Sequence, residues 1–414
     1  MTEVFCRRLA RISHTLSIAV AQWRALSGFY AVGVLDSVST MPARPSAATN
    51  PPGADLDSFA GPKGGGQDAR HKAAHHAPST RLAAIGCEKC RLAVLVLLVL
   101  AGCASHRPVL LPSLSGEALA PELELQATPF YPQRQYQCGP AALATVLDQS
   151  GISVTPDELV PLVYLPEREG SLQVEMIAAS RRFNRIPYVI TPDLHALMAE
   201  LQAGRSVLVL QNLGLRRFPL WHYAVVIGYS VDRDEVLLRS GVTRRKVLSA
   251  QRFLDTWGAG GRWALVLLKP GELPERSERL TYLKAVAAME QVASPQTLIE
   301  AYQVGLNRWP GDQLALFGMA AALHRKNDLA AAESAYRRLL TGQPGHTAAR
   351  NNLAEVLADR GCFAEALVNI DQALEGDNGS LRQALIETRQ GIQKRKKQTS
   401  TSLATCERSI YPQH

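Results

Sequence analysis

Matching residues recur every 34 positions in the last third of this 414-residue chain, and no other feature restricts its fold as tightly. Pro310 and Pro344 stand one period apart, and Asn378 follows at the next. At the same spacing Ala320 matches Ala354, Leu323 matches Leu357, Ala332 matches Ala366 and Leu340 matches Leu374. Tyr302, Tyr336 and Ile370 also fall into register, and Asn327 and Gly361 align where a turn between helices is expected. A period of this length is one pair of helices, with small residues where the two touch. A single pair cannot bury its own apolar face, so neighbouring units must stack. Two clear units are expected at 313–345 and 347–379, after a degenerate one at about 279–311. A helix near 380–394 would cap the stack.

This pattern resembles the tetratricopeptide repeat. The resemblance implies an all-α solenoid over 279–394 whose concave face binds a peptide or a partner protein. The residues that follow, 395–414, read as a basic polar tail, and the Lys394–Lys397 run as a solvated surface. A polar linker, Gly271–Glu278, separates the repeats from what precedes them.

The formal charge of +8 does not point to nucleic acid. The first 102 residues hold 11 Lys/Arg and 6 Asp/Glu, leaving 34 basic against 31 acidic residues in the rest. That near-balance gives no electrostatic footprint for a phosphate backbone. Of seven cysteines, those from Cys103 onward are too widely spaced for a zinc site, and no cofactor is expected.

Leu92–Ala101 is an unbroken apolar run of ten residues. As a helix it spans about 15 Å, half a bilayer, which suits the core of an export signal and not a spanning anchor. Lys89 and Arg91 supply the positive flank over 89–102, and the run closes on Leu100-Ala-Gly-Cys103. This resembles a bacterial lipobox. The resemblance implies that Cys103 is lipidated and tethers a mature chain to the cell envelope, in the outer membrane facing the periplasm because no Asp follows it. Residues 1–88 carry no apolar period and read as a disordered or non-native extension, with the natural start near Arg81. Residues 103–128 read as a tether.

The chemistry is expected in 129–270. After Tyr131-Pro-Gln-Arg-Gln-Tyr-Gln-Cys138-Gly-Pro, apolar residues at Leu143, Val146 and Leu147 predict a helix that Gly151 ends. Pro140 fits a first turn, where its missing N–H costs nothing. Cys138 thus falls at a helix start, where the partial positive charge favours a thiolate and lowers the thiol pKa. Helices are expected at 156–164, 171–183, 193–203 and 249–257. Strands are expected at 186–191, 206–212, 221–231, 235–240 and 262–269. An α+β domain follows from helices leading into an antiparallel sheet. His222 lies on the 221–231 strand. Alternation sets His222, Ala224 and Val226 on one face, and Tyr223, Val225 and Ile227 on the other. A thiol at a helix start and a later histidine on a sheet strand form the pair that nucleophilic thiol catalysis needs.

Gln133-to-Leu147, with its Cys-Gly-Pro-Ala-Ala block, and the His222-Tyr-Ala-Val-Val strand some eighty residues later together resemble the bacteriocin-processing, double-glycine leader peptidases of the papain-like clan. The likeness covers about 128–270. It implies a papain-like α+β fold, Cys138 as nucleophile, His222 as base and an upstream glutamine in the oxyanion hole. Gln133 fits that role, with Gln135 and Gln137 close by. The chain departs from the family where an Asp should steady the imidazole: Arg239-Ser240 stands there instead. Ser240 is a weaker third member, and Asn212 could serve from elsewhere; Asp232 and Asp234 fall in a hairpin turn. No phosphate-binding glycine loop or further apolar span accompanies the domain, so a transporter-coupled leader substrate does not carry over.

The expected function is a membrane-anchored cysteine peptidase acting on an extracytoplasmic peptide or protein, with repeats that recruit substrate or partner. The alternatives are an adaptor lipoprotein built on a weakened peptidase fold, and another acyl transfer at the same thiol.

Overall fold

The computed structural model describes residues 120–377 and 379–399. The segments read above as an extension (1–88) and an export signal (89–102), with Cys103, most of the tether and the end of the basic tail, lie outside these residues. No described helix is long and apolar enough to cross a membrane.

The α+β domain is built on one antiparallel sheet. Its strands are β1 (Glu122–Glu124), β2 (Ile186–Val189), β3 (Val207–Asn212), β4 (Trp221–Ser230), β5 (Glu235–Ser240), β6 (Thr243–Ser249) and β7 (Ala264–Leu268). Their order is β2-β7-β3-β4-β5-β6, with β1 paired to the far end of β4. Both faces are covered. Helices α1 (Cys138–Gln149), α2 (Pro156–Val163) and α3 (Gln173–Arg182) cover one face. There Leu143, Leu147, Leu159 and Met176 pack on Leu208, Tyr223, Val225 and Ile227. Helices α4 (Leu194–Gln202) and α5 (Ala250–Ala259) cover the other, where Leu197, Phe253 and Trp257 meet Val209, Ala224 and Val226. The alternation along β4 therefore separates two apolar cores.

Two strands carry no sequence signal. β6 reads Thr-Arg-Arg-Lys-Val-Leu-Ser, with no fully buried residue, because it is an edge strand paired only to β5. Charged side chains on such an edge block pairing with another chain. β1 falls in the segment read above as the end of a tether. From Glu122 onward that segment is part of the fold: Leu123 lies opposite Tyr229, and Thr128 is buried. Three residues are too few to show a period.

The second half is a solenoid of helix pairs: α6 (Arg279–Ala287) with α7 (Pro295–Arg308), α8 (Gln313–Arg325) with α9 (Leu329–Gly342), and α10 (Thr347–Asp359) with α11 (Phe363–Gly376). The last helix, α12 (Arg382–Thr399), packs on α11 and α10 and runs past residue 394. Ala320, Ala332, Ala354 and Ala366 are fully buried, as are Tyr302, Tyr336 and Ile370. Asn327 and Gly361 both adopt left-handed backbone, at φ 67° and 84°, which Asn tolerates and Gly favours.

Gly318 shows how tight the first interface is. A Cβ there would overlap the buried Tyr302 ring, coming 2.5 Å from its hydroxyl. One period on, Asn352 instead donates to the Tyr336 hydroxyl at 3.1 Å. Gly318→Ala is expected to cost about 2–3 kcal/mol by overpacking, read as a lowered denaturant midpoint; an unchanged midpoint would contradict this packing.

The two halves share one apolar core, into which α6 sends Tyr282, Leu283 and Val286. The linker is docked as well. Buried Glu200 accepts from the Glu275 N–H at 2.8 Å and pairs with Arg205 at 2.6 Å. Arg205 also reaches Glu275 at 3.0 Å. Its opposite charges leave no isolated buried ion.

Candidate active site

Cys138 is the first residue of α1, and Gln137 before it makes no side-chain cap. The helix-start N–H groups therefore remain open to the sulfur. Backbone groups of Tyr223, Gly139 and Cys138 itself all favour its thiolate, but burial is the larger cause and leaves the pKa above that of an ordinary thiol. This corrects the sequence expectation of a lowered value. A helix terminus contributes only part of a charge, whereas removing a thiolate from water opposes it more strongly.

The thiol opens on a narrow cleft whose wall includes Tyr131, Gln133, Tyr223, Arg239 and Ser240. The strap that carries Gln133 is held from three points. Arg239 donates to the carbonyls of Thr128, at 3.0 Å, and Gln126, at 3.3 Å. The Gln133 N–H donates to the Gly241 carbonyl at 3.1 Å. Tyr131 donates to Asp148 on α1 at 2.7 Å. Gln133 faces the cleft with its side-chain oxygen buried and without a partner. Gln135 is exposed and Gln137 occupies the cap position. Of the three glutamines, Gln133 is the one in the cleft wall.

His222, near the start of β4, makes its side-chain hydrogen bond to Ser240: Nε2 and Oγ are 2.9 Å apart. That leaves Nδ1 as the nitrogen able to face a thiol. Burial, followed by the nearby charge of Lys246, holds the imidazole pKa down to about 4. At neutral pH the ring is uncharged. A serine can either donate to Nε2 or accept from it, so unlike a carboxylate it does not fix the tautomer. Cys138 and His222 are not hydrogen-bonded to each other. Ser240 borders the cleft and its hydroxyl meets the imidazole, but His222 is not a cleft-lining residue: it shares the sheet face of Ala224 and Val226, whereas the thiol packs with Tyr223 and Val225.

The other readings of the third position fall away. Asn212 uses its side-chain oxygen on the N–H groups of Gly214, at 3.0 Å, and Leu220, at 2.9 Å. Arg239 is engaged with carbonyls, including that of Arg244 at 2.7 Å. Asp232 is exposed in the hairpin, and Asp234 sits there at φ 51°.

Sequence reasoning missed two contributors. Tyr223 supplies backbone to the thiol and sets its ring edge-on to Trp263 at 5.9 Å. Ser171, on the loop before α3, packs directly on Gly139 with its hydroxyl buried and unpartnered. Glycine after Cys138 was the available signal, because close approach of another segment is a reason for lacking a Cβ. No cluster of metal-ligating side chains occurs among the described residues.

Residues 125–264 match the sequence model of the Peptidase_C39 like family. Similar solved structures include a candidate C39-like peptidase from Bacillus anthracis, 17% identical, covering 36% of this chain and 98% of its own, with TM-score 0.32. The Sgt2 tetratricopeptide domain from Aspergillus fumigatus is 12% identical, covering 33% of this chain and 90% of its own, with TM-score 0.28. MamA is 15% identical, covering 30% of this chain and 82% of its own, with TM-score 0.24. Comparison with curated protein sequences gave no match.

Proposed function

We propose that the C39-like domain is a cysteine peptidase and that Cys138 is its nucleophile. The observation that carries this reading is the cleft, where a helix-start thiol stands with Gln133 and with the serine that holds His222. In the proposed reaction the His222 ring reaches the thiol around the start of β4 and takes its proton on Nδ1 as sulfur attacks the scissile carbonyl. The resulting oxyanion takes the Cys138 N–H and the Gln133 amide, whose rotation about its last bond can present N–H₂ to the cleft. Collapse returns the proton to the leaving amine and leaves an acyl-enzyme. Water, deprotonated by the same imidazole, then releases the acid.

Thiol and imidazole are both neutral at rest in this account, because burial disfavours each charged form. Proton transfer accompanies attack instead of preceding it. The repeats recruit substrate or a protein partner. The likeness of Leu100–Cys103 to a lipobox supports, as part of this proposal, a lipid on Cys103 and an outer-membrane location facing the periplasm.

A second reading has a specific observation behind it. Without a carboxylate on His222, the domain could act as an adaptor whose thiol is inert. Thiol labelling and cleavage separate the two. Cys138→Ala is expected to abolish both labelling by a peptidyl electrophile and cleavage of a protein mixture. His222→Ala is expected to reduce both at least hundred-fold. No labelling of either the wild type or the His222 variant, with no cleavage by either, would favour the adaptor.

A further inference from the structure

The loop between β3 and β4 holds large apolar side chains in water. Leu215, Phe218 and Leu220 are 72%, 70% and 59% exposed, with exposed Arg216 and Arg217 among them. Residues 213–220 contain no acidic side chain. The loop is a fixed structure. The Asn212 carboxamide oxygen accepts from two of its N–H groups, Leu213 donates to the Leu220 carbonyl at 2.9 Å, and Phe218 donates to the Leu215 carbonyl at 3.0 Å. Gly214 is wedged so closely that a Cβ would come 2.7 Å from the Leu220 nitrogen. Backbone hydrogen bonding therefore sets the presentation of these side chains, and no apolar neighbour absorbs them.

Its place in the sheet connects it to the cleft. Asn212 pairs with Trp221, and two residues along the same strand Tyr223 reaches the thiol. At a strand rise of about 3.3 Å per residue, the loop's base lies roughly 7 Å from that point and its tip roughly 15 Å. An extended peptide covers those distances in about two to four residues. The direction follows from the proton. The imidazole must protonate the leaving amine, so the departing segment lies on the His222 side, where this loop enters β4.

We propose that residues 213–220 form the subsite for the leaving side of a peptide substrate, one with acidic residues beside a bulky apolar residue two to four positions beyond the scissile bond. Arg216 and Arg217 take the carboxylates, while Leu215 and Phe218 take the apolar side chain. The inference rests on the peptidase reading of Cys138, but it is tested by binding as well as by turnover.

The experiment presents arrayed decapeptides of randomised sequence to the full chain carrying Cys138→Ala, alone and with R216E/R217E or with F218S. The expected profile favours Asp and Glu next to Phe or Leu. Charge reversal should turn it toward Lys and Arg, and F218S should weaken binding at least five-fold while keeping the charge preference. A profile without acidic preference, or one unmoved by charge reversal, overturns the proposal. So does loop-dependent binding to anionic phospholipid vesicles accompanied by an unmoved peptide profile, which would make the loop a membrane contact. If the profile inverts as expected but active protein cleaves none of the bound peptides, the loop stands as a site for acidic-apolar peptides and the peptidase reading, with the leaving-side assignment, fails.

Discussion

Replacing Ser240 with Asp is expected to turn a sluggish thiol into a reactive one. The hydroxyl now lies 2.9 Å from Nε2 of His222, and a carboxylate at that position can only accept. It fixes the proton on Nε2 and leaves Nδ1 free as base. A negative charge at such a distance raises an imidazole pKa by about one to three units. In the wild type, burial and then Lys246 hold that pKa down to about 4, so His222 is uncharged above this pH. Cys138, raised by burial, stays protonated until the pH exceeds that of an ordinary thiol pKa. Its alkylation rate should therefore climb about ten-fold per pH unit through neutrality, in proportion to the thiolate fraction. In the Asp variant an imidazolium persists to higher pH and stabilises the thiolate. An extra limb with a plateau should then appear on the acid side, and the rate at pH 6–7 should rise at least ten-fold. Chloroacetamide kinetics across pH 4–9 read this directly. Superimposable profiles would mean that Ser240 does not govern the imidazole.

The second large effect concerns Gly139. A Cβ at this position would come 2.5 Å from the Ser171 Cβ and would overlap its hydroxyl. Both segments are constrained, since Gly139 lies in the first turn of α1 and Ser171 is packed beneath it. The overlap must be relieved by moving the helix start, which displaces the Cys138 sulfur from the backbone groups of Tyr223 and Gly139. Gly139→Ala should lower the alkylation rate at least ten-fold, with stability reduced by about 1–3 kcal/mol. Removing the Ser171 side chain in the same chain, as G139A/S171G, should restore most of the rate. Failure of that rescue, with the fold intact, would show that Gly139 acts otherwise than by accommodating Ser171.

The repeat half was legible because its constraint is periodic. Helices three to four turns long must touch at fixed intervals, so Ala320, Ala354, Ala332 and Ala366 report the contacts directly. The sheet was legible where strands are buried on both faces, as in β3 and β7, whose residues are all buried. It was illegible at its margins. β6 faces solvent and β1 is three residues long, so neither needs an apolar pattern, and pairing with a neighbour alone makes them strands.

At the cleft, sequence alone determined which residue types could do thiol chemistry, and it put Cys138 at a helix start because Gly139-Pro140 and the apolar spacing allow little else. Tertiary structure decided what that chemistry must contend with. The helix start favours a thiolate as expected, but the same fold buries the sulfur and the imidazole, and desolvation outweighs a partial charge. Likewise, Arg239 and Ser240 were indistinguishable as neighbours in the chain. Successive strand residues point to opposite faces, so Ser240 reaches His222 while Arg239 turns to the strap carrying Gln133. Local spacing specifies the elements and their faces, whereas burial and partners are set by segments distant in sequence.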